Sequence, residues 1–120
     1  MKKSDLLLLI TFLISILTGC RNSEEKASQK SIDLITTKTL GLAYLEEFKL
    51  EEAEKEFLNF IDLAPKEKLG YANLGLTYLR MARYPEAEKQ LKKAIKIESK
   101  DPDIRLILAT VYKMNNERDK

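Results

Sequence analysis

The sequence predicts an all-α protein in which helical hairpins stack into a solenoid behind an N-terminal signal segment. Three observations lead to this fold class. Leu, Lys, Glu and Ala, which favour helices, dominate the middle of the 120-residue chain. A segment of 34 residues recurs in phase along that part, and such a period is typical of helical repeat arrays. The start of the chain differs in composition, because an apolar run there ends at the only cysteine.

The N-terminal segment begins with Lys2 and Lys3 and continues with a mostly apolar run from Leu6 to Leu17. Positive charge, a short apolar stretch and then small residues are the plan of a secretory signal. The run is shorter than the roughly 20 residues that cross a bilayer comfortably. A permanent membrane helix is therefore the weaker interpretation.

The residues Leu17-Thr18-Gly19-Cys20 resemble the lipobox of bacterial lipoproteins. The resemblance implies that the thiol of Cys20 is lipidated, that residues 1–19 are removed as a lipoprotein signal peptide, and that Cys20 becomes the anchored N-terminus. It also implies a place in the bacterial cell envelope. Arg21, which stands where some bacteria use Asp to retain lipoproteins in the inner membrane, favours the periplasmic side of the outer membrane over the plasma membrane. The alternative is a chance cysteine in an ordinary signal or anchor segment.

The next stretch, residues 20–31, carries no apolar side chain larger than Ala after the cysteine. A segment of this composition cannot bury a core. We therefore expect a flexible tether between the membrane and a folded domain over residues 32–120.

The folded domain repeats itself, since residues 34–67 align with residues 68–101 without a gap and a partial third copy occupies 102–120. Pro65 and Pro85 fall between or at the start of helical segments, and Asp101-Pro102 is typical of an N-cap followed by the first helical position. The pattern predicts helices at about 32–47, 51–64, 67–82, 85–98 and 102–116.

The second helix of each copy carries an apolar stripe at helical spacing, as Ala53, Phe57 and Ile61 illustrate. In the first helices, Gly41 and Gly75 stand at one phase. A glycine inside a helix costs roughly 1 kcal/mol against Ala, so its recurrence at one phase implies a position where a neighbouring helix comes close.

The repeat resembles the tetratricopeptide repeat (TPR), whose pattern is L-G-x-x-Y, then A-x-x-x-F or L, then Pro. The matching residues of the first copy are Leu40, Gly41, Tyr44, Ala53, Phe57 and Pro65, and those of the second are Leu74, Gly75, Tyr78, Ala87, Leu91 and Ala94. The chain departs from the family at Thr37 and Tyr71, where Trp is usual, at Phe60, where a small residue is usual, and at Ser99, where Pro is usual.

The resemblance implies a curved array whose first helices line a concave groove that binds a protein partner. The implied groove residues are Lys38, Leu42, Leu45, Glu46, Ala72, Leu76, Leu79, Arg80, Leu106, Thr110 and Lys113. An apolar floor with a charged rim suits an extended peptide or an amphipathic helix. The alternative is that the leucines serve only the internal packing of the array.

One TPR sub-family binds the C-terminal carboxylate of its ligands through a set of Lys, Asn and Arg residues. Of the matching positions here, Lys38 and Asn73 fit, whereas Leu42, Asp103 and Ile107 do not. Asp103 would repel a carboxylate, so we do not expect the chaperone-tail ligands of that sub-family.

The last helix carries apolar residues around most of its circumference, although a terminal helix of an array normally has a polar outer face. We expect this edge to be covered by a second copy of the chain or by a partner. The alternative is that the third repeat is a shortened remnant.

The sequence argues against several functions. It contains no histidine and a single cysteine, so we expect no catalytic residues, no cofactor and no metal site. Charges of both signs alternate, which does not favour nucleic-acid binding. The sequence therefore predicts a non-catalytic, membrane-tethered scaffold that binds a protein or peptide. A soluble secreted or cytoplasmic adaptor without lipidation is the alternative.

Overall fold

A computed structural model of the chain describes residues 2–118, except for the side chains of Cys20 and Arg118. Within that range it consists of five α-helices: α1 (Lys3–Glu46), α2 (Leu50–Leu63), α3 (Lys68–Arg80), α4 (Tyr84–Ile97) and α5 (Pro102–Arg118). By the contacts between their residues, two units separate within α1, Met1–Asp33 and Leu34–Lys120. We call the second unit the repeat domain.

The N-terminal unit is a single stretch of helix whose described side chains before Asp33 are all exposed. Among the described helices, α1 alone is long and apolar enough to cross a membrane, with a mean hydropathy of 1.7 over its most apolar window. A signal sequence meets the same criterion, so this property fits either interpretation of the segment. The side chain of Cys20, the predicted lipidation site, lies outside the described residues.

The tether differs from its expected form, because residues 21–31 continue α1 instead of forming an irregular segment. The first helix accordingly begins at Lys3 and not at about 32. The stretch contains neither Gly nor Pro, and its Glu, Lys, Ala and Gln are strong helix formers. One-turn contacts such as that of Arg21 with Glu25 (3.7 Å) and that of Gln29 with Asp33 (2.8 Å) support it. Helical structure here needs no buried core.

The repeat domain is an all-helical array of two hairpins and a terminal helix, as predicted. Residues 34–46 of α1 and α2 form the first pair, and α3 and α4 form the second. In the array, α3 packs against α2 and α4, and α5 packs against α4 and α3. The bounds of α2 to α5 lie within two residues of the predicted ones.

The expected helix boundaries are also present. Pro85 lies in the first turn of α4, where no backbone N–H is needed. Asp101 caps α5, since its Oδ1 accepts the backbone N–H groups of Asp103 (3.0 Å) and Ile104 (3.3 Å). Lys68 holds the same carboxylate from the previous repeat at 2.7 Å, and this bond is the main reason that the pKa of Asp101 is lowered.

The core of the repeat domain is apolar and spans all five helices. Its buried residues are Leu45, Leu50, Ala53, Phe57, Ala72, Leu74, Tyr78, Tyr84, Ala87, Leu91, Ala94, Ile104 and Val111. The predicted close approaches are present. A Cβ at Gly41 would lie 2.7 Å from the ring of Phe57, and a Cβ at Gly75 would lie 2.6 Å from Leu91.

The unusual Phe60 is accommodated by the following helix. Phe60 is buried, and a Cβ at Gly70 would lie 2.9 Å from its ring and 2.7 Å from Ile61. One repeat later the sizes are exchanged, because Ala94 replaces the phenylalanine and Ile104 replaces the glycine, and both are buried. A large residue thus meets a small one where α2 packs against α3, and the equivalent positions of α4 and α5 carry the same sizes in reverse order.

Candidate binding face

The predicted groove residues lie at four positions of the 34-residue repeat, on the first helices of the array, namely residues 34–46 of α1, then α3 and α5. We call this surface the first-helix face. Its successive helices are connected, since α3 packs against α5 and Nη1 of Arg80 donates a hydrogen bond to the carbonyl of Leu45 at 2.6 Å. The structure thus brings most of the predicted residues onto neighbouring helices.

The apolar part of this face is accessible. Leu42 is 36% exposed and Leu106 is 68% exposed, whereas Leu76 and Leu79 are half-buried and contact the core. Single exposed leucines are common on protein surfaces. Two exposed and two half-buried leucines on adjacent helices together offer more apolar surface, which is the kind of surface that an apolar side chain of a partner can cover.

Two of the residues predicted to line the groove are buried instead. Leu45 is 4% exposed and Ala72 is 9% exposed, so both belong to the core and cannot contact a partner in this structure. The position of Leu45 faces the next repeat, and its equivalents become more open along the chain: Leu79 is half-buried and Lys113 is exposed. The repeat pattern identifies the phase of such a position but not how many neighbours cover it.

The polar residues predicted for the rim are exposed: Lys38, Glu46, Arg80, Thr110 and Lys113. Three of these five are cations and one is an anion. The bond between Arg80 and Leu45 shows that Arg80 also links two repeats. The net charge of the rim is positive, and this favours a partner segment with acidic residues.

A small depression at one end of the face is lined by Lys38, Phe57, Phe60, Leu69 and Asn73. Lys38 and Asn73 are the two residues that match the carboxylate-binding sub-family, and the structure places both at this depression. Leu42 and Asp103, which do not match, are also exposed. The donor set for a terminal carboxylate is therefore incomplete here.

A charged cluster that the sequence analysis did not single out connects the two repeats. The hydroxyl of Tyr78 donates to Oε1 of Glu54 (2.8 Å), and Arg83 reaches the same carboxylate at 3.1 Å. The guanidinium of Arg83 also lies 4.4 Å from the centroid of the Tyr78 ring. Burial raises the pKa of Tyr78 to about 12, and its bond to Glu54 adds to the rise.

The same contact recurs one repeat later, where the hydroxyl of Tyr112 donates to Glu88 at 3.3 Å. The recurrence of Tyr78 and Tyr112, and of Glu54 and Glu88, at an interval of 34 residues was the signal available in the sequence. It marks a bond between repeats and not a ligand site.

The edge formed by α5 is less apolar than its sequence indicates. Ile104 and Val111 are buried, and Ile107 and Leu108 are half-buried in the repeat domain. Leu106, Tyr112 and Met114 remain exposed. That this edge is covered by a second copy or a partner stays a prediction.

Among the described residues there is no group of three His, Cys, Asp or Glu side chains that could hold a metal ion. The arrangement of exposed leucines between charged side chains can bind a protein segment by burial of apolar surface and by ion pairs. The fold and this face together define a solenoid repeat protein with a surface suited to protein interaction.

Comparison with known proteins identifies the family. The sequence profile of the tetratricopeptide repeat matches residues 39–67 and 70–101, which together make up just over half of the chain. The chain belongs to the tetratricopeptide repeat family, whose members typically serve as non-catalytic protein-interaction modules. No curated protein sequence matches it significantly.

Solved structures of TPR domains have the same fold. The TPR2B domain in the pHsp70 complex of yeast Sti1 is 22% identical with a TM-score of 0.69, over 72% of this chain and 69% of that one. The second TPR of Spaghetti (RPAP3), bound to the HSP90 peptide SRMEEVD, is 25% identical with a TM-score of 0.70, over 77% and 85%. The second TPR domain of human RPAP3, in complex with the HSP70 peptide SGPTIEEVD, is 24% identical with a TM-score of 0.68, over 73% of each chain.

Proposed function

We propose that the protein is a non-catalytic TPR lipoprotein, tethered to a membrane of the bacterial cell envelope, that binds a peptide or helix of a partner protein along its first-helix face. The observation that carries the binding role is the apolar surface of Leu42 and Leu106, which are exposed, and of Leu76, which is half-buried, on consecutive first helices of a TPR array. Burial of such side chains is worth about 1.5–3 kcal/mol each when complete.

The rim determines the kind of ligand that suits this face. Lys38, Arg80 and Lys113 oppose a single acid, Glu46, so a segment with acidic residues beside apolar ones is favoured. The similar RPAP3 domains were solved with HSP90 and HSP70 peptides that end in EEVD. The clamp residues are incomplete in this chain, since only Lys38 and Asn73 match. We propose an internal segment of the partner as the ligand, and not its C-terminal carboxylate.

A charge placed in the apolar surface tests the binding face. Leu76→Glu should abolish capture of partner proteins from an envelope extract by the full chain, because a carboxylate would replace apolar contact surface. Leu58→Glu is the matched control, since Leu58 is exposed on α2, away from this face. Circular dichroism should show that both variants keep their helices. Equal capture by the two variants would contradict the proposal.

The tether is tested separately at Cys20. We expect palmitate to label the wild-type chain, globomycin to block its maturation, and Cys20→Ser to remove the label and release the protein from the membrane fraction. The second candidate function is a soluble TPR adaptor without lipidation. It would be supported by an unlabelled wild-type chain that still captures the same partner through Leu76.

The position of the tether within the envelope has its own test. In bacteria that sort lipoproteins by the residue after the cysteine, Arg21 favours the outer membrane. Membrane fractionation should then find the wild-type chain in the outer membrane and Arg21→Asp in the inner membrane. Identical distributions of the two would remove the support that Arg21 gives to an outer-membrane location.

A further inference from the structure

The outward side of α4 carries a compact group of cations. Lys89, Lys92, Lys93 and Lys96 are all exposed and are separated by three or four residues, so they lie on one side of the helix as immediate neighbours. We call these four residues the lysine face. Like charges at this spacing disfavour the helix slightly, so helix stability does not account for their grouping.

The acids near the lysine face leave most of its charge uncompensated. Glu88 pairs with Lys92 and also accepts the hydroxyl of Tyr112, and Glu86 pairs with Arg83. The ammonium of Lys93 lies 5.6 Å from the centroid of the Tyr71 ring. Within the described part of the chain, Lys89, Lys93 and Lys96 take part in no ion pair.

The repeat fold does not require this group. The equivalent positions of α2, one repeat earlier, are Lys55, Leu58, Asn59 and Asp62, which together carry no net charge. The packing side of the two helices is similar, because Ala53 and Phe57 correspond to Ala87 and Leu91 and all four are buried. The two helices thus share a core pattern and differ in their exposed charge.

We propose that the lysine face binds the anionic headgroups of a lipid bilayer. Lysine ammonium groups act as point charges without the fixed geometry that reads a specific partner, and an anionic membrane attracts them by about fivefold in affinity per residue. The exposed Ile97 and Lys100 extend the same end of the helix with one apolar and one basic side chain.

The chain itself brings the repeat domain near such a surface. Leu34 follows Cys20 by fourteen positions, and a chain of that length spans about 50 Å at most. The argument holds whether the anchor is a lipid on Cys20 or the uncleaved apolar helix, so it does not depend on the proposed lipidation. Because surface charges are screened beyond about 8 Å at physiological salt, the lysine face must lie directly against the headgroups and must release at high salt.

Site-resolved lysine labelling tests this contact on the full chain. The protein is reconstituted through its own N-terminal segment into vesicles of phosphatidylcholine, or of phosphatidylcholine with phosphatidylglycerol, and treated with an amine-acetylating reagent. Acetylation of the four lysines should slow by about fivefold or more in the anionic vesicles, and high salt should reverse the effect. Lys55 is the internal control, because it is exposed at the equivalent position of α2, and its rate should be the same in both lipids.

A variant shows whether the face acts as a unit. In Lys89→Gln/Lys93→Gln/Lys96→Gln, the remaining Lys92 should lose its protection in anionic vesicles, while Lys55→Gln should leave all four lysines protected. Circular dichroism confirms that the helices persist in both. Equal labelling rates in the two lipids, or protection that survives high salt, would overturn the proposal.

Two further outcomes would assign the lysine face to another ligand. Protection in neutral vesicles that grows with protein density would assign it to a second copy of the chain, and protection by added duplex DNA alone would assign it to nucleic acid.

Discussion

At the scale of single residues, two non-glycine residues hold a left-handed backbone conformation at the same place in successive repeats. Phe48 has φ 62° and Ala82 has φ 57°. In each hairpin turn the following N–H bonds back five residues, from Lys49 to Tyr44 and from Arg83 to Tyr78, at 2.8 Å in both. This is the Schellman arrangement that ends many helices, and glycine is its preferred left-handed residue. The left-handed conformation costs an L-residue roughly 1–2 kcal/mol.

Replacement of Ala82 by glycine should therefore stabilise the protein. We expect Ala82→Gly to raise the free energy of unfolding by about 0.5–1 kcal/mol, because relief of the backbone strain outweighs the greater entropy of glycine in the unfolded chain. Chemical denaturation followed by circular dichroism measures the change. The matched control is Ala43→Gly at an exposed position inside α1, which should cost about 1 kcal/mol. A loss of stability in both variants would contradict the argument.

The buried hydroxyl of Tyr78 predicts a loss of stability at alkaline pH. Its pKa is about 12 in the folded protein against 10.0 as the ordinary value, so its contribution is complete below pH 10 and is lost as the pH rises towards 12. After allowance for solvent screening this contribution amounts to about 1 kcal/mol. The pKa values of Lys68 and Lys92 are also raised, so their contributions to stability are likewise lost as the pH rises.

Tyr78→Phe should consequently reduce the loss of unfolding free energy between pH 10 and 12. Part of the loss should remain, because Lys68 and Lys92 still contribute to it. Unfolding free energies measured across that range give the slope. Tyr44→Phe, at the equivalent position of the first repeat, is the control and should keep the wild-type slope. A Tyr78→Phe curve parallel to that of the wild type would show that the hydroxyl does not carry the effect.

At the scale of helices, the exchange of sizes between Phe60 with Gly70 and Ala94 with Ile104 predicts strong coupling. Phe60→Ala should cost about 3–5 kcal/mol through the cavity, and Gly70→Ile should be destabilising because its side chain meets Phe60 and Ile61. The double variant copies the next repeat. It should be more stable than the sum of the single changes by about 0.5–3 kcal/mol.

Thermal and chemical unfolding of the four proteins in this cycle measure the coupling. Leu91→Ala is the comparison, since it opens space opposite Gly75 and not opposite Gly70, and it should fail to relieve Gly70→Ile. Simple additivity in the Phe60 and Gly70 cycle would mean that the two residues do not compensate each other.

Much of the helical architecture was predictable because its signals are local and repeated. Asp101 and Pro85 define helix starts by their own chemistry, and the period of 34 residues fixes the register of the hairpins. The start of α1 was not predictable in this way. Residues 21–31 carry no apolar side chain larger than Ala, so the apolar pattern gives no signal for a helix there, whereas helix propensity and one-turn contacts suffice to form one.

The binding face was predictable in its phase but not in its exposure. The repeat pattern places Leu42, Leu45 and Leu76 on the first helices, but the depth of each depends on the neighbouring repeat. Leu45, whose carbonyl accepts a hydrogen bond from Arg80 of α3, is 4% exposed, while Leu106 on α5 is 68% exposed. The lysine face is not evident from the balance of charges in the chain, because Glu86 and Glu88 precede it and offset part of its charge. It becomes evident when residues 89–96 are placed on a helix, where four lysines fall on one side with no acid between them in the sequence.

At the scale of the whole molecule, stability in a repeat array is transmitted through contacts between neighbours. In the repeat domain, α5 packs against α4 and, less extensively, α3. It therefore stabilises one side of the array only. Val111, which is buried, and Leu106, which is exposed, lie on this same helix and are expected to serve separate purposes, the first in packing and the second in binding.

Native-state hydrogen exchange can distinguish these purposes. Val111→Ala should destabilise α5 by about 2 kcal/mol, through two lost methyl groups and the space they leave, and this corresponds to exchange about thirtyfold faster in α5. Exchange in α2, which has no contact with the described residues of α5, should change much less. Leu106→Glu should leave exchange unchanged throughout, because its side chain is already in solvent, and should weaken capture of the partner. If hydrogen exchange became equally faster in α2 and α5 of Val111→Ala, the array would unfold as one cooperative unit. Leu106→Glu would still distinguish the two roles in that case, because it should weaken binding of the partner without changing exchange.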